Sequence, residues 1–112
     1  MRAVRFEEYG DVDVLKVEEV PTPTPAPGEV VVRVVTAGTN PGEAGIRSGA
    51  GKERFPAHFP EGQGSDLAGV ISAVGDGVQG LAVGQDVIGL SDGRNAQAEY
   101  ALLAADRVVP KP

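Results

Sequence analysis

The chain contains no cysteine, no tryptophan and a single histidine, with three Phe and two Tyr among its 112 residues. Without cysteine there is no disulfide framework, no thiolate metal site and no thiol nucleophile. A catalytic zinc takes three protein ligands, usually His, Cys or Glu, so here it would rest on carboxylates; no metal is expected. The lone His58 lies between Pro56 and Pro60 and reads as a loop residue rather than a base. No lysine and arginine run exists. Ten cations are scattered among sixteen Asp and Glu, giving a net charge of −6 and an isoelectric point near 4.6. That balance argues against a nucleic-acid partner, which needs a basic face. No apolar stretch approaches the ~20 residues of a membrane span. Met1 to Glu8 carries charges where a signal peptide needs an apolar run, so no membrane association is expected, and a cytoplasmic home fits.

What is present is glycine (16), proline (9) and an ordinary hydrophobic share of 41%. This amounts to one domain with a core of small residues and many turns, which suggests a β fold rather than a helical bundle. The organising stretch is Gly64 to Gly75. Leu67, Gly69, Ile71 and Ala73 fall on one face of a strand, and Ala68, Val70, Ser72 and Val74 on the other. Neither face is charged, so both are expected to be buried in a central strand. Gly69 inside it is costly unless another backbone needs the space. Asp66, beside Ser65, holds a carboxylate at the rim of this apolar core.

The other elements follow in order. Arg2 to Glu7 and Val14 to Val20 alternate as an antiparallel pair around a turn at Tyr9-Gly10-Asp11. Pro21 to Gly28 has proline at alternate positions and reads as a stiff connector; a ligand for a proline-binding adaptor is the competing reading, but the PxxP spacing and basic flank are missing. Val30 to Val35 is the strongest β signal. Asn40-Pro41-Gly42-Glu43 has the cap, the first-turn proline and the capping-box glutamate of a short helix ending at Ser48-Gly49. Gly49 to Gly64 shows no periodicity and reads as a long ordered loop. Asp86 to Leu90, Ala98 to Leu103 and Arg107 to Val109 complete six to eight strands. The predicted fold is mainly β, a partly open barrel with one or two short helices.

Gly75-Asp76-Gly77-Val78-Gln79-Gly80 has the spacing of a dinucleotide fingerprint. That fingerprint needs a helix to start there, whereas Gly84 and the strand at Val87-Ile88 arrive instead. It reads as a turn. Asn40 is open between a helix cap and a ligand-contacting amide. Asp66 is open between a buried acid and a strand-end carboxylate, and Glu43 between capping box and site. Tyr100 reads as core, and Phe55 and Phe59 either line a pocket or pin the loop.

Seven stretches together resemble a known family: Met1-Arg2-Ala3-Val4 with Tyr9-Gly10; Pro27 to Val34; Ala37 to Glu43 with Ile46-Arg47-Ser48-Gly49; Pro60 and Gly64 to Ile71; Val74 to Val78; Val83 to Val87; and Ala98-Glu99-Tyr100. Their order and spacing resemble the medium-chain dehydrogenase/reductase superfamily, in its zinc-free quinone oxidoreductase branch. The resemblance implies a GroES-like catalytic domain over residues 1–112. In the zinc-dependent branch a cysteine stands at the position like Asn40 and a histidine at the position like Ser65. It further implies hydride transfer from NADPH to a quinone or an α,β-unsaturated carbonyl, with the cofactor supplying the hydride and the protein supplying orientation. On this basis Asn40 and Glu43 are the expected catalytic residues. Asn40, Pro41 and Arg47 are the expected cofactor contacts, and Phe55, Phe59, Ser65 and Asp66 the expected substrate pocket, with the loop from Lys52 to Phe59 as an apolar wall. The family's Rossmann cofactor domain is absent from this sequence, so the chain is expected to be a substrate domain that neither binds NADPH tightly nor turns over alone, with an apolar patch that self-association could cover. The competing expectation is a non-enzymatic module of the co-chaperonin type, which shares the barrel but leaves the Asn40-Pro41 turn unexplained.

Overall fold

In a computed structural model describing residues 1–112, β1 (Arg2–Phe6) and β2 (Lys16–Glu19) pair antiparallel with Val4 opposite Val17. The alternation predicted this pair. It did not predict the 3-10 turn at Val12–Val14 between them, which starts where the Asp11 carboxylate accepts the Val12 N–H at 2.8 Å. Pro21 to Pro27 then crosses the surface without joining a sheet, as a connector should. β3 (Glu29–Ala37) leads to α1 (Pro41–Ser48), which has Pro41 in its first turn and Gly49 at φ 85° as its left-handed stop. The stretch from Gly49 to Gly64 is not wholly loop. It contains β4 (Glu61–Gly62), a two-residue strand too short for any alternation to announce, which pairs with Arg5 and Phe6 of β1. The remaining strands are β5 (Asp66–Val74), β6 (Asp86–Leu90), β7 (Tyr100–Ala104) and β8 (Val108–Pro110).

These make a three-stranded sheet, β2-β1-β4, and a five-stranded sheet, β7-β3-β5-β6-β8. Every pairing is antiparallel. The sheets do not close into a barrel, and the segment leading into β7 stitches them together. Ala98 bridges to Ala3, Val4 N–H reaches the Gln97 carbonyl at 2.9 Å, and Val34 N–H reaches the Glu99 carbonyl at 2.9 Å. The architecture is thus the mainly β, partly open arrangement the sequence predicts, with one α-helix. No helix is long and apolar enough to cross a membrane.

β5 occupies the centre of the larger sheet. Leu67, Gly69 and Ile71 are buried, and Leu67 and Ile71 join Val30, Val32, Val87 and Leu103 in one core. Each such fully buried aliphatic side chain stabilises the fold by about 1.5–3 kcal/mol. The expectation that both faces are buried is corrected here. Ser72 is exposed, and Ala68, Val70 and Val74 are only partly covered. An uncharged face is not necessarily a covered one, because small residues tolerate partial exposure. Gly69 is explained by space. A Cβ there would overlap the Arg33 carbonyl oxygen and stand 2.8 Å from Val32 Cγ1. β3 therefore passes directly over it, next to the register shift between Val34 and Thr36.

Glu99 clasps the two sheets. Its carboxylate accepts the Arg2 N–H at 2.6 Å, and its own N–H donates to the Arg2 carbonyl at 3.0 Å. The Arg2 backbone bond, followed by the Arg2 charge, lowers the Glu99 pKa below its ordinary 4.5 despite some opposing desolvation.

Two outcomes follow for stability. Gly69→Ala is expected to destabilise the chain by about 2–3 kcal/mol through overpacking. Gly45→Ala, where a Cβ would meet nothing within 4 Å, is expected to stabilise it by up to about 1 kcal/mol by removing a helical glycine. Urea midpoints at constant m-value compare the two. Because the Glu99 pKa is lowered on folding, its contribution is present above the ordinary carboxylate range and lost as pH falls through the folded value. At pH 7 the Glu99→Gln variant should therefore be less stable than wild type, and the gap should close in acid, read by melts across pH 2–7.

Candidate active site

The turn from β3 into α1 and the start of β5 meet. The Asn40 N–H donates to Glu43 Oε1 at 3.2 Å, the Glu43 half of a capping box, and the Glu43 N–H donates to the Asn40 backbone carbonyl at 3.0 Å, with no cap bond to the Asn40 side chain. The Asn40 Nδ2 donates to Asp66 Oδ2 at 2.7 Å. The two readings of Asn40 therefore coexist, since its backbone serves the cap while its amide reaches across to β5. Asp66 is anchored in turn, its carbonyl accepting the Gly38 N–H at 2.9 Å.

Asp66 lines an open cleft of about 560 Å³. The apolar floor comes from Ala37, Leu67 and Ala68 on one side and Ile88, Leu90 and Val109 on the other. Ile88, Leu90 and Val109 are 40%, 40% and 52% exposed and share this one cleft. Arg107 also lines the cleft and is held by Asp92 at 2.9 Å. Sequence reasoning missed Arg107, Ile88 and Leu90. They arrive through pairings, Leu90 opposite Asp66 and Val108 opposite Gly89, and no local pattern states a pairing.

Behind the Asn40 turn lies a second, much smaller cavity of about 20 Å³, lined by Glu43, Gln63, Ser65 and Arg94 with Phe6 and Ile46. Glu43 and Ser65 thus sit together, away from the main cleft. Glu43 Oε2 and Gln63 Oε1 are buried there without a protein partner, and the space suits a single bound water. Arg47 is largely buried and ion-paired with Asp11 at 3.7 Å, while its carbonyl accepts the Gly10 N–H at 3.0 Å. It fastens the Tyr9-Gly10-Asp11 turn to α1. Pro41 is exposed at the helix start.

Phe55 and Phe59 line neither cavity. Phe59 stacks edge-on against Tyr9 (5.0 Å) and Phe6 (5.9 Å), which pins the loop. Phe55 is 52% exposed beside the Arg54 guanidinium. Buried Glu61 completes the anchorage. It accepts the His58 N–H at 2.9 Å and faces Arg94 at 3.5 Å, and Arg94 also reaches the Pro56 carbonyl at 3.1 Å. The His58 side chain is exposed. Tyr100 is half-buried beneath Pro21 and Pro23.

Around the Asn40 turn stand an amide, a hydroxyl and the two carboxylates of Asp66 and Glu43, and no three His, Cys, Asp or Glu side chains gather as metal ligands. Gly75 to Gly80 contains a turn with no helix after it, so this stretch is not the helix-opening glycine fingerprint of a pyrophosphate site.

The family model for the alcohol dehydrogenase GroES-like domain matches residues 26–112, and the chain belongs to that family. Its kinship lies with the quinone oxidoreductase branch of the medium-chain dehydrogenase/reductase superfamily. The mouse quinone oxidoreductase is 42% identical over the whole chain, which covers 34% of that protein. The Escherichia coli quinone oxidoreductase solved with NADPH superimposes with a TM-score of 0.91 at 28% identity, over all of this chain and 33% of that one. The enoyl reductase CurK gives 0.87 at 29%, over 99% of this chain and 35% of the other. The chain spans about a third of the length of the curated relatives it matches.

Arg94→Met keeps the side-chain stem and strands the Glu61 carboxylate. It is expected to cost about 2–3 kcal/mol, given that the pair is mostly but not wholly buried, and to speed tryptic cleavage after Lys52 and Arg54 several-fold at 25 °C.

Proposed function

We propose that this chain is the substrate-side domain, residues 1–112, of an NADPH-dependent reductase acting on quinones or α,β-unsaturated carbonyls. The observation that carries the reading is the Asn40 amide held by Asp66 at the rim of an apolar cleft, in a fold whose relatives reduce quinones. Bound NADPH would supply the hydride, and one proton from solvent would complete the reduced product. Nothing in this reaction needs a covalent nucleophile or a metal.

The residues divide the work by position. Asn40 meets the nicotinamide end, with Pro41 fixing the backbone that presents it. Asp66 and the apolar floor from Leu67 to Leu90 form the slot for flat rings and keep water from the hydride path. Glu43 and Ser65 support the turn from behind, and Arg47 acts through its grip on Asp11. The phosphates and ribose would fall to a Rossmann domain elsewhere in the protein, since no helix follows the glycines from Gly75 to Gly80. The exposed Ile88, Leu90 and Val109 support a partner surface over the cleft, whether that further domain or a second copy. The NADPH-bound relative favours this reading over a ring-forming co-chaperonin module.

The test compares the 112-residue chain with the longer protein that carries it, both supplied with NADPH and a panel of quinones and enones. The longer protein is expected to oxidise NADPH with at least one of them, and the 112-residue chain to show no turnover. Turnover by the short chain, or ring assembly without reductase activity in the long one, overturns the proposal.

A further inference from the structure

We infer that Asp66 is a positioning residue that sets the polarity of Asn40, so that the site offers Oδ1 as a hydrogen-bond acceptor to a carboxamide NH2 and leaves the reducible carbonyl to other groups. This deepens the function proposed above and rests on it.

An asparagine amide has two unlike ends, and a half-turn about its last torsion exchanges them. A carboxylate removes that freedom because it can only accept. With Asn40 Nδ2 at 2.7 Å from Asp66 Oδ2, the bond is short and charge-assisted. Turning the amide over would set Oδ1 against Oδ2, acceptor against acceptor. Both partners are also held by their backbones, Asn40 through Glu43 and Asp66 through Gly38, so neither can drift away from the clash. The pair joins residues 26 apart in sequence, tying the start of α1 to the start of β5.

The surroundings reinforce the choice. Asp66 is in none of the ion pairs of the chain. The cation that lines its cleft, Arg107, is engaged by Asp92. The rim of the slot therefore carries two acceptors, Asn40 Oδ1 and the second Asp66 oxygen, with no cation bonded to either. Such a rim favours a ligand edge rich in N–H. The carboxamide of a dihydronicotinamide has one, while a quinone carbonyl or an enone has none. Of the two roles open to Asn40, orienting the nicotinamide or holding the acceptor oxygen, the Asp66 bond selects the first.

The first arm of the test needs no cofactor. In the 13C,15N-labelled 112-residue chain, a scalar coupling across the hydrogen bond from Asn40 15Nδ2 to Asp66 13Cγ is expected, and its absence refutes the lock. The second arm uses the longer enzyme with NADPH and with its 3-acetylpyridine analogue, which replaces the carboxamide NH2 with a methyl group. Wild type should favour NADPH by about tenfold in KM, on the order of one hydrogen bond, with kcat changed less. Asn40→Ala and Asp66→Asn should each lose most of that preference, and the double variant should be no worse than Asn40→Ala alone. If the effects of the two substitutions on KM multiply, Asp66 acts independently of Asn40 and the inference falls. If the coupling is present but Asn40→Ala leaves the preference intact, the functional assignment of Asn40 falls while the lock itself stands.

Discussion

The close pass of β3 over Gly69 is the constraint on which the rest depends. Without a side chain there, the Arg33 carbonyl can lie against β5, and the two strands pair over most of their nine-residue lengths. That pairing buries Val30, Val32, Leu67 and Ile71 together. It also delivers the end of β3 and the start of β5 to the same corner of the sheet. The turn into α1 leaves from one strand and Asp66 stands on the other, so the functional corner is a consequence of the core's geometry.

The corner illustrates how a polar pair survives beside an apolar cleft. Each group of Asn40 that the fold uses has a defined partner: its N–H goes to Glu43, its carbonyl receives the Glu43 N–H, and its Nδ2 goes to Asp66. The one end left over, Oδ1, is an acceptor that makes no cap hydrogen bond, on an exposed residue. A half-satisfied buried network would be a liability; at an exposed rim the unused acceptor is available for a ligand. The Glu43 oxygen that lacks a protein partner lies on the other side, at a cavity that fits one water.

Much of this was legible in the sequence, and the failures share a cause. The helix from Pro41 to Ser48 was readable because its signals are local, a cap, a proline and a terminal glycine. The central strand, the value of Gly69 and the reading of Gly75 to Gly80 as a turn came from patterns only a few residues long. Strand β4 escaped because two residues have no period, and the partial exposure of Val70 and Ser72 escaped because coverage of a sheet face is decided by distant segments. Within the site, the Asn40–Asp66 bond and the arrival of Arg107 and Leu90 at the cleft follow from pairing between strands far apart in sequence, and the Arg47–Asp11 ion pair from the packing of α1 against a distant turn. The sequence spacing around Phe59 fits pocket and anchor equally, and only its contacts with Phe6 and Tyr9 decide for the anchor.

The central claim is that an amide at the start of α1, oriented by the first residue of β5, meets the nicotinamide at an apolar slot. A crystal structure of the longer protein with NADPH bound tests it most directly. The account predicts the carboxamide nitrogen within hydrogen-bond distance of Asn40 Oδ1, with Asn40 Nδ2 still on Asp66. A nicotinamide ring seated away from residue 40, or an Asn40 amide turned over with its nitrogen toward the ligand, would contradict it.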